Sequence, residues 1–197
     1  MKQVTKHIML LLALSLLGGS VVAQRISFGL YAADDLVIMP LGLGELNFND
    51  KKTIILGGET VTINMTDDAA AILTIEGRTD LDINVTITYS TTIDLDPLNK
   101  IPLAVKFAYS NIGASTYAIA RGSAIQVPTG FTTATFPIVK RASGLPTPPP
   151  TPNHTGYTGT KRTAYLFIYG TLGAVPADAA AGIYTGNINI HVEYSTY

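Results

Sequence analysis

Near its C-terminal end the chain reads Asn187-Ile-Asn-Ile-His-Val-Glu-Tyr194, in which polar and apolar residues alternate strictly. The apolar residues of this stretch are Ile188, Ile190, Val192 and Tyr194. Successive side chains of a β-strand point to opposite faces, so these four would share one face. The pattern is typical of an antiparallel sheet with one face on a core and the other in water.

The same alternation recurs along the chain, separated by turn-forming residues. Further apolar alternation covers residues 61–65, 81–89, 103–109 and 165–169. Many short strands at such spacing are typical of a sandwich or barrel. Because the strands differ in length and some connections are long, we predict an all-β, antiparallel β-sandwich. The length of 197 residues favours a single domain.

Two local patterns give sharper predictions. Gly57-Gly58 lies between residues 53–56 and 60–65, which predicts a two-residue β-hairpin. The Ala-rich stretch 67–71 is too short to predict a stable helix.

Composition excludes several classes of function. The chain contains no cysteine, which excludes disulfides, thiol catalysis and cysteine-ligated metal centres. A formal charge of -1 provides no basic surface for nucleic acid. Hydrophobic residues make up 47% of the chain, too many for a disordered protein.

Residues 1–23 have the pattern of a secretory signal peptide. Lys2 and Lys6 precede an apolar run over residues 8–17, and Val21-Val22-Ala23 ends in a small residue before Gln24. The run is shorter than the roughly 20 residues needed to span a bilayer. We therefore expect cleavage after Ala23 and export through the periplasm to the cell surface or medium, without integration into a membrane.

Residues 24–35 form an N-terminal extension ahead of the domain predicted over 36–197. Ile26, Phe28 and Leu30 alternate with smaller or polar residues directly after the expected cleavage site. Such a strand can be an ordinary edge strand of its own domain, or it can add to a neighbouring subunit's sheet as a donor strand. The predicted acceptor is the terminal strand with Ile188, Ile190, Val192 and Tyr194.

A proline-rich segment at 144–155 interrupts the strand pattern and predicts an exposed loop. A ligand-binding tip formed by residues 144–162 is an alternative to an inert loop. Its candidate contacts are Tyr157, Lys161 and Arg162.

Candidate catalytic and metal-binding residues are few. Asp80, Asp82 and Asn84 fit the opening of an EF-hand loop, but Val85 stands where glycine is needed and Thr91 where a glutamate belongs. Beyond the signal peptide the chain has two histidines, and no G-x-S-x-G motif is present. We predict no catalytic residues, no metal and no cofactor, and hence no enzymatic activity.

Two stretches resemble a family of exported bacterial β-proteins known as DUF4402, which is similar to spore coat U and pilin-like subunits. The first stretch includes Leu36-Val-Ile-Met-Pro-Leu, then Glu45-Leu-Asn-Phe, then Gly57-Gly-Glu-Thr-Val-Thr-Ile63. The second is Ala181-Gly-Ile-Tyr-Thr-Gly-Asn-Ile-Asn-Ile-His-Val-Glu-Tyr194. This chain has Asn49 where the family usually has glycine. The resemblance implies an immunoglobulin-like, pilin-like sandwich with a structural role outside the cell.

These observations predict a structural subunit of a bacterial surface filament, fimbria-like fibre or coat. The subunits would form a homopolymer by β-strand addition, with a periplasmic chaperone or outer-membrane assembly protein as a further partner. The alternative is a monomeric carbohydrate-binding or adhesin module at the cell surface, which would use the 144–162 loop.

Overall fold

The structure is a computed structural model that describes residues 24–141 and 159–195. Strands account for 52% of these residues and helix for 6%, which confirms the all-β prediction. The strands are β1 (Gln24–Ala32), β2 (Val37–Leu41), β3 (Glu45–Asn47), β4 (Val61–Ile63), β5 (Ala71–Arg78), β6 (Asp82–Tyr89), β7 (Thr92–Asp94), β8 (Lys100–Ser110), β9 (Ile125–Gln126), β10 (Thr133–Pro137), β11 (Lys161–Leu172) and β12 (Tyr184–Tyr194). The signal peptide, the proline-rich segment and Tyr157 lie outside the described residues.

The strands form a curled sheet with the hydrogen-bonded order β10-β6-β12-β7-β8-β11-β5-β2. Strands β1 and β3 continue from β12, while β4 pairs with β11 and β9 with β8. The long strand β8 joins the two parts of the sheet, since residues 100–102 pair with β7 and residues 103–110 pair with β11. Every strand pair among the described residues is antiparallel except β1 with β12.

The core follows the alternation of the sequence. Along β6 and β12, the alternate aliphatic side chains are buried, while the polar residues between them are wholly or partly exposed. Strand β11 differs, because residues 164–170 are buried on both faces. The outer face of β11 is covered near the short helix α1 (Tyr117–Gly122), whose Arg121 guanidinium lies 6.0 Å from the centre of the Phe167 ring.

The predicted hairpin at Gly57-Gly58 is wrong. The turn forms, with the Glu59 N–H donating to the Leu56 carbonyl at 3.1 Å, but residues 53–56 form no strand. Instead β4 pairs with β11 over residues 170–172. An isolated two-stranded hairpin is marginal, and the central strand β11 offers β4 a partner already embedded in the core.

Helix α1 has no counterpart in the sequence prediction, because six residues carry little helical periodicity. Its start has a local signal, in that the Thr116 hydroxyl accepts a hydrogen bond from the Ile119 N–H at 3.4 Å. A threonine N-cap of this kind stabilises a helix start by about 1 kcal/mol.

Candidate functional site

The predicted donor strand lies inside its own chain in this structure. Strand β1 is held between β12 and β3, pairing in parallel with β12 from Gln24 opposite Tyr184 to Ala32 opposite Val192. On its other edge, residues 25–27 pair antiparallel with β3. The structure therefore brings together the two sets of residues that the sequence analysis named as donor and acceptor.

The inward-facing side chains of β1 pack beside the buried face of β12. Phe28 lies opposite Ile188, and Leu30 lies opposite Ile190. Ile188, Ile190 and Val192 are fully buried, as is Ile26. Phe28 and Leu30 are partly buried and pack against the core. Burial thus decreases along β1 from its first residue toward its last.

These contacts give β1 a large share in the stability of the fold. Burying one large aliphatic or aromatic side chain stabilises a protein by about 1.5–3 kcal/mol. With one side chain fully buried and two partly buried, the apolar row of β1 contributes on the order of 4 kcal/mol. A typical domain has a net stability of about 5–15 kcal/mol, so removing β1 from β12 would destabilise the fold substantially.

The outward-facing side chains of β1 help to set its register against the neighbouring strands and bury little apolar surface. The Arg25 guanidinium donates to the Glu45 carboxylate on β3, with Nη2 to Oε2 at 2.7 Å and Nε to Oε2 at 3.1 Å. Because the Arg25 side chain is 54% exposed, we expect this pair to contribute less than about 1 kcal/mol. Gly29 leaves room for the Asn189 side chain, which occupies the space where a β-carbon would lie.

A four-residue turn, residues 33–36, connects β1 to β2. The Leu36 N–H donates to the Ala33 carbonyl at 3.2 Å, and the Ala33 N–H donates to the Val192 carbonyl at 2.9 Å. Asp34 has φ = +57°, and no other non-glycine residue in the described ranges has a positive φ. The left-handed conformation costs a non-glycine residue about 1–2 kcal/mol, somewhat less for aspartate. The connection therefore carries backbone strain while β1 lies in its own sheet.

The end of β12 ties this turn down through a group that we name the Tyr194 clasp, formed by Tyr194, Asp35, Lys161 and Arg78. The Tyr194 hydroxyl donates to Asp35 Oδ1 at 2.8 Å and accepts from the Arg78 N–H at 3.0 Å. Lys161 Nζ donates to the Asp35 carbonyl at 2.7 Å and lies 3.2 Å from its Oδ2. The clasp links the β1–β2 turn to β12, β11 and β5.

The protonation behaviour of the clasp follows from these contacts. Burial raises the pKa of the Tyr194 hydroxyl to about 12, and the adjacent Asp35 carboxylate acts in the same direction. Burial also raises the pKa of the Asp35 carboxyl, but the Tyr194 hydrogen bond and the Lys161 ammonium outweigh it and hold that pKa below its usual value. Tyr194 is therefore a neutral donor and Asp35 a charged acceptor at neutral pH.

Of the three residues predicted to contact a ligand in the 144–162 loop, the structure describes Lys161 and Arg162. Lys161 begins β11 and is engaged by Asp35, while Arg162 follows it on the same strand. Both line a surface cavity of about 290 Å³ together with Glu76 and Gly113. Tyr157 lies outside the described residues, so the structure places two of the three candidates side by side.

Sequence reasoning missed the clasp, although one signal for it exists. The doublet Asp34-Asp35 is typical of a turn, which the structure contains, but nothing local connects it to Tyr194, 159 residues away. A tyrosine that ends a long alternating strand is the one usable signal, because its hydroxyl needs a hydrogen-bond partner when it is partly buried.

The acidic residues near the start of β6 are used in ion pairs. Asp80 pairs with Arg78 at 2.7 Å, and Asp82 pairs with Arg141. Across residues 24–141 and 159–195, no group of three or more histidine or acidic side chains is arranged to hold a metal ion. In the same ranges no helix has the length and apolar character to cross a membrane.

No protein-family model matches the chain, and a search of curated proteins found no significant match.

Proposed function

We propose that this chain is an exported subunit of a bacterial surface filament, fimbria-like fibre or coat. In this proposal it is a single-domain, immunoglobulin-like β-sandwich similar to DUF4402 and pilin-like subunits. The β1 strand of one subunit lies along β12 of the next, with Ile26, Phe28 and Leu30 in the same register that β1 has in its own chain. A head-to-tail contact of this kind generates a filament instead of a closed dimer.

The observation that supports this proposal most strongly is the way β1 is attached. Its strand pairs are with β12 and β3, and its connection to the rest of the chain is the strained turn at residues 33–36. A second copy of β1 can make the same contacts with β12, so exchange costs little in side-chain burial. Opening the turn releases the strain at Asp34 and breaks the Asp35 contacts of the clasp. Short, strained connections favour such strand swapping.

The absence of cysteine allows a clean cross-linking test. Ser27 and Asn187 lie opposite each other in the β1–β12 register. Adjacent strands lie close enough for a disulfide between such partners. In the double variant Ser27→Cys/Asn187→Cys, exchange between subunits would produce a covalent ladder on a non-reducing gel, whereas a strand that stays in its own chain would produce a cross-linked monomer.

The chain also offers a matched control. Thr62 on β4 and Thr171 on β11 lie opposite each other, with their hydroxyl oxygens 3.1 Å apart. The variant Thr62→Cys/Thr171→Cys should form its disulfide within one chain in every assembly. Filaments that form while Ser27→Cys/Asn187→Cys stays within one chain would contradict the strand exchange. The absence of any filament or ladder from the exported protein would contradict the structural role.

Export and assembly partners complete the proposal. Residues 1–23 act as the cleaved signal, and a periplasmic chaperone or outer-membrane assembly protein holds the subunit until β1 is exchanged. Such a partner would cover the edge of β12, because an unpaired strand edge promotes aggregation.

A second candidate function has one observation in its favour. Lys161 and Arg162 line a cavity with Glu76 at the edge of the 144–162 segment. A carbohydrate-binding or adhesin module would use this cavity for an acidic or polyhydroxylated sugar. A glycan array tests it: Arg162→Ala should abolish any signal, and a protein that binds no glycan and forms filaments excludes it.

A further inference from the structure

The first residue of β1 is a buried glutamine with unused hydrogen-bonding groups. Gln24 is fully buried, and within the described part of the chain neither its side-chain amide nitrogen nor its amide oxygen has a partner. Leaving a buried polar group without a partner costs about 1–3 kcal/mol. Among the described residues, two other side chains, Asn49 and Arg121, have one such atom each, whereas both amide atoms of Gln24 lack a partner.

Export would make the burial of residue 24 energetically less favourable. The inference rests on the proposed function, in which cleavage after Ala23 leaves Gln24 with a free α-amino group. At neutral pH that group is largely a charged ammonium, and a charge at a buried position is strongly unfavourable unless it is paired. The mature strand would then begin with an ammonium and a primary amide at a position where the amide has no partner.

We propose that Gln24 of the exported chain cyclises to pyroglutamate. The neutral α-amino nitrogen attacks the side-chain carbonyl carbon Cδ and forms a new amide bond that closes a five-membered lactam. The bond between Cδ and the side-chain nitrogen breaks, and that nitrogen leaves as ammonia with a proton from the α-amino group. No oxidant, reductant or other reactant is consumed.

Pyroglutamate fits the buried first position of β1 better than an N-terminal glutamine does. The lactam has no ammonium charge and no primary amide, and it retains one N–H and one ring carbonyl. Cyclisation thereby removes the side-chain NH2 group of Gln24, which has no partner among the described residues, together with the ammonium charge. The lactam also blocks the N-terminus of the strand that the filament proposal exchanges between subunits.

Mass spectrometry of the exported protein tests this directly. The full chain is expressed with residues 1–23 in a bacterium that exports it, and the purified product is digested and sequenced. We expect an N-terminal peptide that begins at residue 24, is lighter by one ammonia, and is blocked to Edman degradation until pyroglutamyl aminopeptidase is added. Gln126, an exposed internal glutamine on β9, should keep its amide in the same digest.

Two controls make the result specific. The variant Gln24→Ala cannot form the lactam and should have a free N-terminus. An isotope-labelled synthetic peptide of residues 24–32, added at cell lysis, reports cyclisation during handling, and equal cyclisation of peptide and protein would overturn the proposal. A mature chain that begins at Gln24 with an intact side-chain amide would also overturn the proposed cyclisation. That outcome would leave the cross-linking test of the filament unaffected. An uncleaved chain, or cleavage elsewhere, would overturn the cyclisation together with the proposed signal cleavage.

Discussion

The Tyr194 hydroxyl provides the sharpest test of how β1 and its turn are held. Tyr194→Phe removes one oxygen that donates to the charged Asp35 carboxylate at 2.8 Å and accepts from the Arg78 N–H at 3.0 Å. A hydrogen bond to a charged group contributes about 1.5–3 kcal/mol, and a neutral one about 0.5–1.5 kcal/mol. In the variant, water can hydrate the Asp35 carboxylate because its side chain is 48% exposed. Most of the free energy of the lost Tyr194–Asp35 hydrogen bond is therefore recovered.

We therefore expect Tyr194→Phe to lower the free energy of unfolding by about 1.5 kcal/mol. In a domain of this size that corresponds to a decrease in Tm of roughly 3–6 °C. Urea unfolding of the monomer, followed by far-ultraviolet circular dichroism, measures the loss. The same variant should exchange β1 faster, because the turn at residues 33–36 loses the Tyr194–Asp35 hydrogen bond to β12 and keeps the one from the Ala33 N–H to the Val192 carbonyl.

Tyr31 supplies the matched control for this substitution. It lies on β1, is 57% exposed and has no side-chain hydrogen bond among those of the described residues. Tyr31→Phe removes the same atom and should change stability by less than about 0.5 kcal/mol. Equal effects of the two substitutions, or a loss below about 0.5 kcal/mol for Tyr194→Phe, would refute the clasp as a stabilising contact.

Three further predictions test the strand, the turn and the sheet. Ile26→Ala, at a fully buried position, should lower the free energy of unfolding by about 3 kcal/mol. Its exposed neighbour gives the control, because Ser27→Ala should change that free energy by less than about 0.5 kcal/mol. Equal losses in urea unfolding would contradict the register of β1. The folded-state pKa of Asp35 lies below its unfolded value. The contribution of Asp35 to the free energy of unfolding is therefore fully present above the unfolded pKa and is lost as pH falls through the folded pKa. The stability difference between the wild type and Asp35→Asn should therefore shrink below about pH 4, and a constant difference in acid titrations would exclude the charged contact. Gly170→Ala should cost several kcal/mol because a β-carbon there would overlap the backbone of β8. Gly29→Ala would meet only side chains, those of Asn189 and the exposed Tyr31, and should cost about 1 kcal/mol or less; thermal unfolding of both variants compares them.

The alternation in the sequence predicted the main strands because burial on one face of a sheet requires it. Residues 187–194 of β12 and most of β6 follow this pattern; their apolar residues are buried as expected, except that the terminal Tyr89 and Tyr194 are only partly buried. The pattern failed where a second layer covers a strand: in β11 both faces are buried, so alternation carries no information there. It also failed at residues 53–56, where the turn signal was correct but β4 found a partner far away in the sequence.

The sequence by itself determined the β class, the core face of each alternating strand and the location of many turns, because these depend on side-chain periodicity and local backbone preferences. Only the tertiary structure decided that β1 pairs in parallel with β12, which begins 160 residues after it. The same holds for the contact of Tyr194 with Asp35 and Lys161, since hydrogen-bond partners distant in sequence are selected by how the strands pack. Pairing between distant strands leaves no local pattern, because either edge of β1 presents the same backbone groups to any strand that comes beside it.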